Sequence, residues 1–153
     1  MPAILPSSGL SDLSETDYRA LADFRYQIRH FLHFSEAAAK REGLEPQQHQ
    51  LLLALCAYDP LGPTIGELAE RLLIRPHSAV GLIDRMEARG LVERTHTEKD
   101  RRQVRIRMTA EGREKLRRLS SLHQAELRRT GPKLVEALRT LLEGLPPEHG
   151  KGF

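Results

Sequence analysis

Between Arg75 and Met108 the chain carries nine basic side chains: Arg75, Arg85, Arg89, Arg94, Lys99, Arg101, Arg102, Arg105 and Arg107. Five acids stand among them, Asp84, Glu87, Glu93, Glu98 and Asp100, so nine against five leaves an excess of four positive charges. The whole chain carries only +3, which makes the remaining residues net negative by one. Guanidinium and ammonium groups gathered in this way neutralise phosphates and release counterions, and arginine can also pair bidentately with guanine. A solvated helical face can be equally basic, so the elements that carry these charges have to decide. The chemistry is one of binding rather than bond-making. There is no glycine-rich phosphate loop, no H-E-x-x-H and no G-x-S-x-G elbow, and the sequence reads as a non-enzyme without cofactor or metal.

The elements needed to position these side chains are legible between Thr64 and Gly112. Thr64-Ile-Gly-Glu67 is a capping box, with threonine at the N-cap and Glu67 at the third helical position. A turn follows, and Pro76 opens a second helix at the position where its missing N–H costs nothing. At ~100° per residue, Ala79, Val80, Ile83, Met86 and Gly90 fall on one side of that helix. His77, Ser78, Gly81, Asp84, Arg85 and Ala88 fall on the other. This outer stripe is small and polar, and Gly81 lets the backbone approach a ligand closely. Leu91–His96 and Gln103–Met108 then read as two strands, the second with Val104, Ile106 and Met108 alternating against Gln103, Arg105 and Arg107. The charged tip between them, Thr97 to Arg102, is shaped for a minor groove. Helix, turn, helix and hairpin together make a winged helix-turn-helix, a fold that places one helix in the major groove of double-stranded DNA. Its candidate contacts are Arg75, His77, Ser78, Gly81 and Arg85 on the recognition helix. On the wing they are Arg94, His96, Lys99, Asp100, Arg101, Arg102 and Gln103.

The flanks are helical. Ser14 and Asp17 form an N-cap pair before a helix running to about Glu42, with Tyr18, Leu21, Phe24, Ile28, Phe31 and Leu32 in one stripe. That helix is close to ~40 Å long, more than a small monomer buries easily, so a second chain is expected to cover it. Pro46–Tyr58 is apolar nearly all round and is expected to be buried, Cys56 included. A further helix runs from Thr109 to about Thr130, is broken at Gly131-Pro132, and is followed by a last one over Lys133–Glu143. Residues 1–13 and the tail beyond Glu143 read as loose ends. The expected architecture is mainly α with a small β-wing, in a single domain by length. Residues 46–109 form the DNA-binding lobe, and residues 14–45 with 110–145 form a helical dimerisation region. One cysteine among 153 residues fits a reducing compartment. With no apolar run of ~20 residues and no signal-peptide features at the start, a cytoplasmic protein off the membrane is expected.

The pieces TIGELAERL, SAVGLIDRMEARGLVER from Ser78 to Arg94, and DRRQVRIRMTAEG from Asp100 to Gly112 resemble the DNA-binding lobe of MarR-type bacterial transcription regulators. The helix order extends the resemblance over roughly residues 15–143. It implies a homodimer packed through its first and last two helices, most often a repressor, on a pseudo-palindromic operator. It assigns Arg102, the arginine of Asp-x-Arg, to the minor groove, with Asp100 orienting nearby basic groups. It also implies a small aromatic or anionic effector bound between the lobes. Arg29, His30, His33, Phe34 and His49 are candidates to line that pocket; the plainer reading of Arg29 and the histidines is as exposed or carboxylate-paired groups at the dimer surface. Redox sensing through Cys56 is an alternative, but relatives that sense peroxide place the cysteine near the start of the first helix. Metal sensing is another. His30 and His33 are three apart on one helix, yet zinc needs three or four ligands and His123 has no paired histidine nearby. From a different class, the basic wing could dock an acidic protein partner in place of DNA.

Overall fold

The computed structural model describes residues 12–143. Five helices and one hairpin follow in order: α1 (Glu15–Arg41), α2 (Pro46–Leu55), α3 (Ile65–Leu72), α4 (Pro76–Ala88), β1 (Val92–His96), β2 (Val104–Met108) and α5 (Ala110–Glu143). This is the mainly helical winged-helix architecture read from the sequence. The expectations for residues 1–11 and 144–153 lie outside the described residues. The described chain divides into two compact units, one of residues 33–125 and the other of residues 12–32 with 126–143.

The unit of residues 33–125 is built on α2, α3, α4 and the hairpin. Leu51, Leu52, Leu68, Ile83, Met86 and Ile106 are fully buried in its core. Removing a leucine side chain from such a site costs about 2–5 kcal/mol. Helix starts are fixed by local hydrogen bonds. Thr64 Oγ1 accepts from the Glu67 N–H at 3.3 Å, and Glu67 Oε2 accepts from the Thr64 N–H at 2.7 Å. The Thr64 N–H and then the Thr64 hydroxyl, which donates to the same Oε2 at 3.1 Å, hold the Glu67 carboxyl below its ordinary pKa. Helix α4 ends where Gly90 takes φ +71 and the Leu91 N–H returns to Met86 O at 3.0 Å. Gly62, at φ +81, lies flat against β2: a Cβ there would sit 2.0 Å from Ile106 O. That contact lets the Ile106 N–H reach Pro63 O at 2.9 Å, so the loop before α3 extends the wing by one backbone pairing. Strands β1 and β2 run antiparallel with Val92 opposite Met108, Arg94 opposite Ile106 and His96 opposite Val104.

Three expectations are corrected. Helix α2 is not buried all round. It stops at Leu55, Leu53 is 53% exposed, and Cys56 is an exposed C-cap residue rather than a core one. The buried positions Gln48, His49, Leu51, Leu52, Ala54 and Leu55 share one side, which leaves Leu53 pointing away. Helix α5 is continuous through Gly131-Pro132. Proline forfeits its own backbone hydrogen bond, but part of the clash that drives the preceding residue out of the helical region is with that residue's Cβ, which Gly131 lacks. In α4, Leu82 joins Ala79, Ile83 and Met86 inside while Val80 turns outward at 38% exposure, because the buried arc is centred further round than the assigned stripe.

The second unit contains the start of α1 and the last half of α5. Ser14 caps α1: its Oγ accepts from the Asp17 N–H at 3.2 Å, and Asp17 Oδ2 accepts from the Ser14 hydroxyl at 2.7 Å. Ala20 and Ala137 are buried there, whereas Tyr18, Leu21, Tyr26, Val135, Leu138 and Leu142 are exposed.

Candidate nucleic-acid interface

Helix α4 and the hairpin carry all of the sequence-predicted DNA contacts except Arg75, and the structure sorts them into two kinds. His77, Ser78 and Arg85 are exposed on α4, with Arg75 exposed at its N-cap. Gly81 is half-buried, and a Cβ added there would lie 3.6 Å from an Arg85 guanidinium nitrogen, so the guanidinium folds across the gap the glycine leaves. At the wing tip Lys99, Arg101 and Arg102 are exposed, and their side chains have no ion pair or hydrogen bond among the described residues.

The tip closes on itself. Thr97 Oγ1 accepts from the Asp100 N–H at 3.2 Å, and Asp100 Oδ1 accepts from the Arg102 N–H at 2.9 Å. Asp100 therefore fixes the backbone at Arg102 rather than a guanidinium. His96 Nδ1 donates to Arg101 O at 2.9 Å, a bond that specifies its tautomer. Gln103 is occupied within the hairpin, accepting from Arg105 Nη2 at 3.0 Å.

Arg94, read from the sequence as a wing contact, is instead an internal clamp. Its guanidinium reaches Asp84 Oδ1 at 2.5 Å and also pairs with Glu87, whose other oxygen accepts the Arg94 N–H at 3.2 Å. Burial works against its charge, but the bonds to the two carboxylates outweigh it and raise its pKa. One side chain on β1 thus holds two positions of the recognition helix. Sequence reasoning missed this role, although Asp84 and Glu87, three apart on one helix face, offered an acidic pair for a basic strand to meet.

Two further arginines are committed inside the lobe. Arg89 donates to Gln48 Oε1 at 2.8 Å and to Gly43 O at 2.6 Å, tying the end of α4 to the turn before α2. Arg105 donates to Gly62 O at 3.1 Å and lies 3.7 Å from Glu67, while its buried Nε has no partner. Of the nine basic residues, Arg89, Arg94 and Arg105 are structural. The other six, Arg75, Arg85, Lys99, Arg101, Arg102 and Arg107, are exposed and unpaired among the described residues.

The residues named for an effector are distributed over both units. Arg29 is exposed, and His30 lies 3.8 Å from Glu126, which Arg129 also pairs at 2.8 Å. In the other unit His33 is exposed, while Phe34 stands edge-on to His123 with ring centroids 5.7 Å apart. His49 is buried with its ring 4.8 Å from that of His123. The expectation that His123 lacks a histidine neighbour is therefore corrected: sequence separation hid the pair. Nδ1 of His123 donates to Leu119 O at 2.6 Å, and Ser35 Oγ lies 2.7 Å from its Nε2. Burial, and then the nearness of His123, lower the pKa of His49 to about 4. Among the described residues no group of three or more histidines, cysteines or acids is placed to hold a metal, and no helix is long and apolar enough to cross a membrane.

The profile of the MarR family covers residues 42–103, from the end of α1 to the end of the wing tip. The HTH-type transcriptional repressor MdtR of Bacillus subtilis is 34% identical over 73 residues, 48% of this chain and 46% of that one. The transcriptional activatory protein BadR of Rhodopseudomonas palustris is 38% identical over 90 residues, 58% of this chain and 51% of that one. The chain spans about half the length of these curated relatives. The crystal structure of AbsC, a MarR family transcriptional regulator from Streptomyces coelicolor, superposes with a TM-score of 0.65 at 25% identity, over 90% of this chain and 86% of that one. The family profile falls on the lobe that carries α2, α3, α4 and the wing tip, and over residues 42–103 the chain matches the MarR family.

Proposed function

We propose that the protein is a sequence-specific DNA-binding transcription regulator, acting as a homodimer and as a repressor on a pseudo-palindromic operator. The observation that carries this reading is the separation of its cations. Three arginines are spent on holding the lobe together, while Arg75, Arg85, Lys99, Arg101 and Arg102 are exposed and unpaired on α4 and the wing tip. A solvated face gains nothing from leaving cations unpaired beside acids that other arginines take up, whereas phosphate and base contact requires it. In this reading α4 enters the major groove with His77, Ser78, Gly81 and Arg85 toward the bases, and Arg102 enters the minor groove.

Support for the dimer comes from the unit of residues 12–32 and 126–143. Val135, Leu138 and Leu142 recur at i, i+3 and i+7 on α5 and are 40–58% exposed, and Tyr18, Leu21 and Tyr26 are exposed on α1. An exposed apolar surface of this kind marks an interface. A twofold dimer requires half-sites one helical turn, ~34 Å, apart. MdtR is named a repressor and BadR an activatory protein, so the sign of regulation needs its own assay.

The test is selection of duplexes from a random library, then anisotropy on the selected and a scrambled duplex and a promoter-reporter assay. Palindromic enrichment, selective binding and lowered reporter output are expected. Equal weak binding of both duplexes would overturn the reading, and tight binding of an acidic protein partner in its place would favour the docking alternative. A small aromatic or anionic effector, which the family resemblance implies, is tested in the same assay by release of the duplex.

A further inference from the structure

Four apolar side chains of α4, Ala79, Leu82, Ile83 and Met86, are at most 1% exposed, whereas Val80 is 38% exposed. A single apolar side chain at a surface ordinarily calls for no partner. Its place on the helix sets this one apart. Val80 is the fifth residue of α4, within the N-terminal stretch that a recognition helix presents to base edges. With Asp84 at i+4 and Glu87 at i+7 it forms one edge of the helix, at ~100° per residue. Both acids on that edge are taken up by Arg94 from β1. A branched side chain also lowers helix propensity, so an exposed valine here gives the lobe little that an alanine would not.

We propose that Val80 is a base-reading residue, selecting thymine through its C5-methyl group in the major groove. The assignment rests on the DNA-binding function proposed for the chain and names one base that α4 would select. In the major groove thymine presents a methyl group and a carbonyl acceptor, whereas cytosine presents an amino donor. Val80 has no acceptor for that donor, and Asp84 and Glu87, which could accept from it, are bonded to Arg94. A cytosine at this edge would leave its amino group unsatisfied, while a thymine methyl is covered by the valine methyls. In a helix the β-branched side chain keeps largely to one rotamer, so the contact costs little ordering. The sequence-derived reading face, His77, Ser78, Gly81 and Arg85, lacks Val80 because the periodicity had placed it inside.

In the duplex selected from the random library, each thymidine is replaced in turn by deoxyuridine, which differs by that methyl alone. Anisotropy is measured on the full chain, wild type and Val80→Ala. At one thymidine of each half-site the wild type is expected to bind the deoxyuridine duplex roughly three- to fivefold more weakly, the scale of one buried methyl group. Val80→Ala is expected to bind the two duplexes equally, with a urea midpoint close to that of the wild type. Discrimination that persists in Val80→Ala, or a scan in which no thymidine matters, would overturn the assignment and leave the regulator reading standing. A lowered urea midpoint with equal loss of affinity for both duplexes would mark Val80 as a packing residue and overturn it as well. A library that yields no selective duplex would overturn the DNA-binding reading, and this assignment with it.

Discussion

Leu73 caps α3 with a left-handed backbone, φ 55, while its side chain is 93% exposed. A left-handed conformation costs an L-residue roughly 1–2 kcal/mol, and an exposed leucine recovers little of that by burial. Leu73→Gly is therefore expected to stabilise the lobe by about 0.5–1 kcal/mol, less than the full strain because glycine gains entropy when unfolded. Urea denaturation checks this, and a loss of stability would mean that the leucine makes a contact the free chain lacks. His49 carries the clearest pH dependence. Its pKa is lowered from 6.5 to about 4, so in that window the unfolded chain takes up a proton at this position while the folded chain does not. Stability at this site is whole above about pH 6.5 and is lost as the pH falls toward 4. The groups facing the ring are His123 and, around His123, Ser35 and Phe34. His49→Gln should lower stability at pH 7 but flatten the fall of the urea midpoint between pH 7 and pH 5. An unchanged slope would place the pH dependence elsewhere.

At the scale of elements, the recognition helix and the wing form one piece because Arg94 joins them. Arg94→Ala is expected to cost about 1 kcal/mol of stability, in keeping with a partly exposed ion pair. It should also weaken duplex binding by about tenfold, ~1.4 kcal/mol, because the wing no longer holds its angle to α4. Faster amide exchange in β1 and β2, with α3 unaffected, would separate this from general unfolding. Unchanged affinity would show that the wing orients itself on DNA. This clamp marks the limit of what the sequence makes legible. Thr64 and Glu67, Pro76 and the alternation of β2 are local signals, and each is found as an observed cap, helix start or strand. The excess of basic residues was legible as a sum but not in its division, because the partners of Arg89 and Arg105 lie 41 and 43 residues away in sequence. Separation along the sequence likewise hid His123 from His49. Pro132 misled for a different reason: Gly131-Pro132 was read as a break, whereas a glycine before proline removes part of the local clash and α5 runs through.

At the scale of the whole molecule, Val135, Leu138 and Leu142 leave an apolar stripe along the end of α5 that solvent would not favour. Leu138→Glu is expected to shift the protein from dimer to monomer in light scattering while the lobe of residues 33–125 keeps its stability, and a dimer that persists would place the interface on other residues. Loss of the dimer should weaken binding to a two-half-site operator far more than to a single half-site, since the second contact would no longer be intramolecular. The central claim is that the unpaired cations of α4 and the wing tip meet DNA, and it is tested most directly by the salt dependence of binding to the selected duplex, wild type against Arg102→Ala. A steep linear fall of log affinity with log salt is predicted, with a slope reduced by about 1 per wing in the variant, as expected for one lost phosphate-groove cation. A variant with the wild-type affinity and slope would contradict the account, because the wing tip would then stand clear of the duplex.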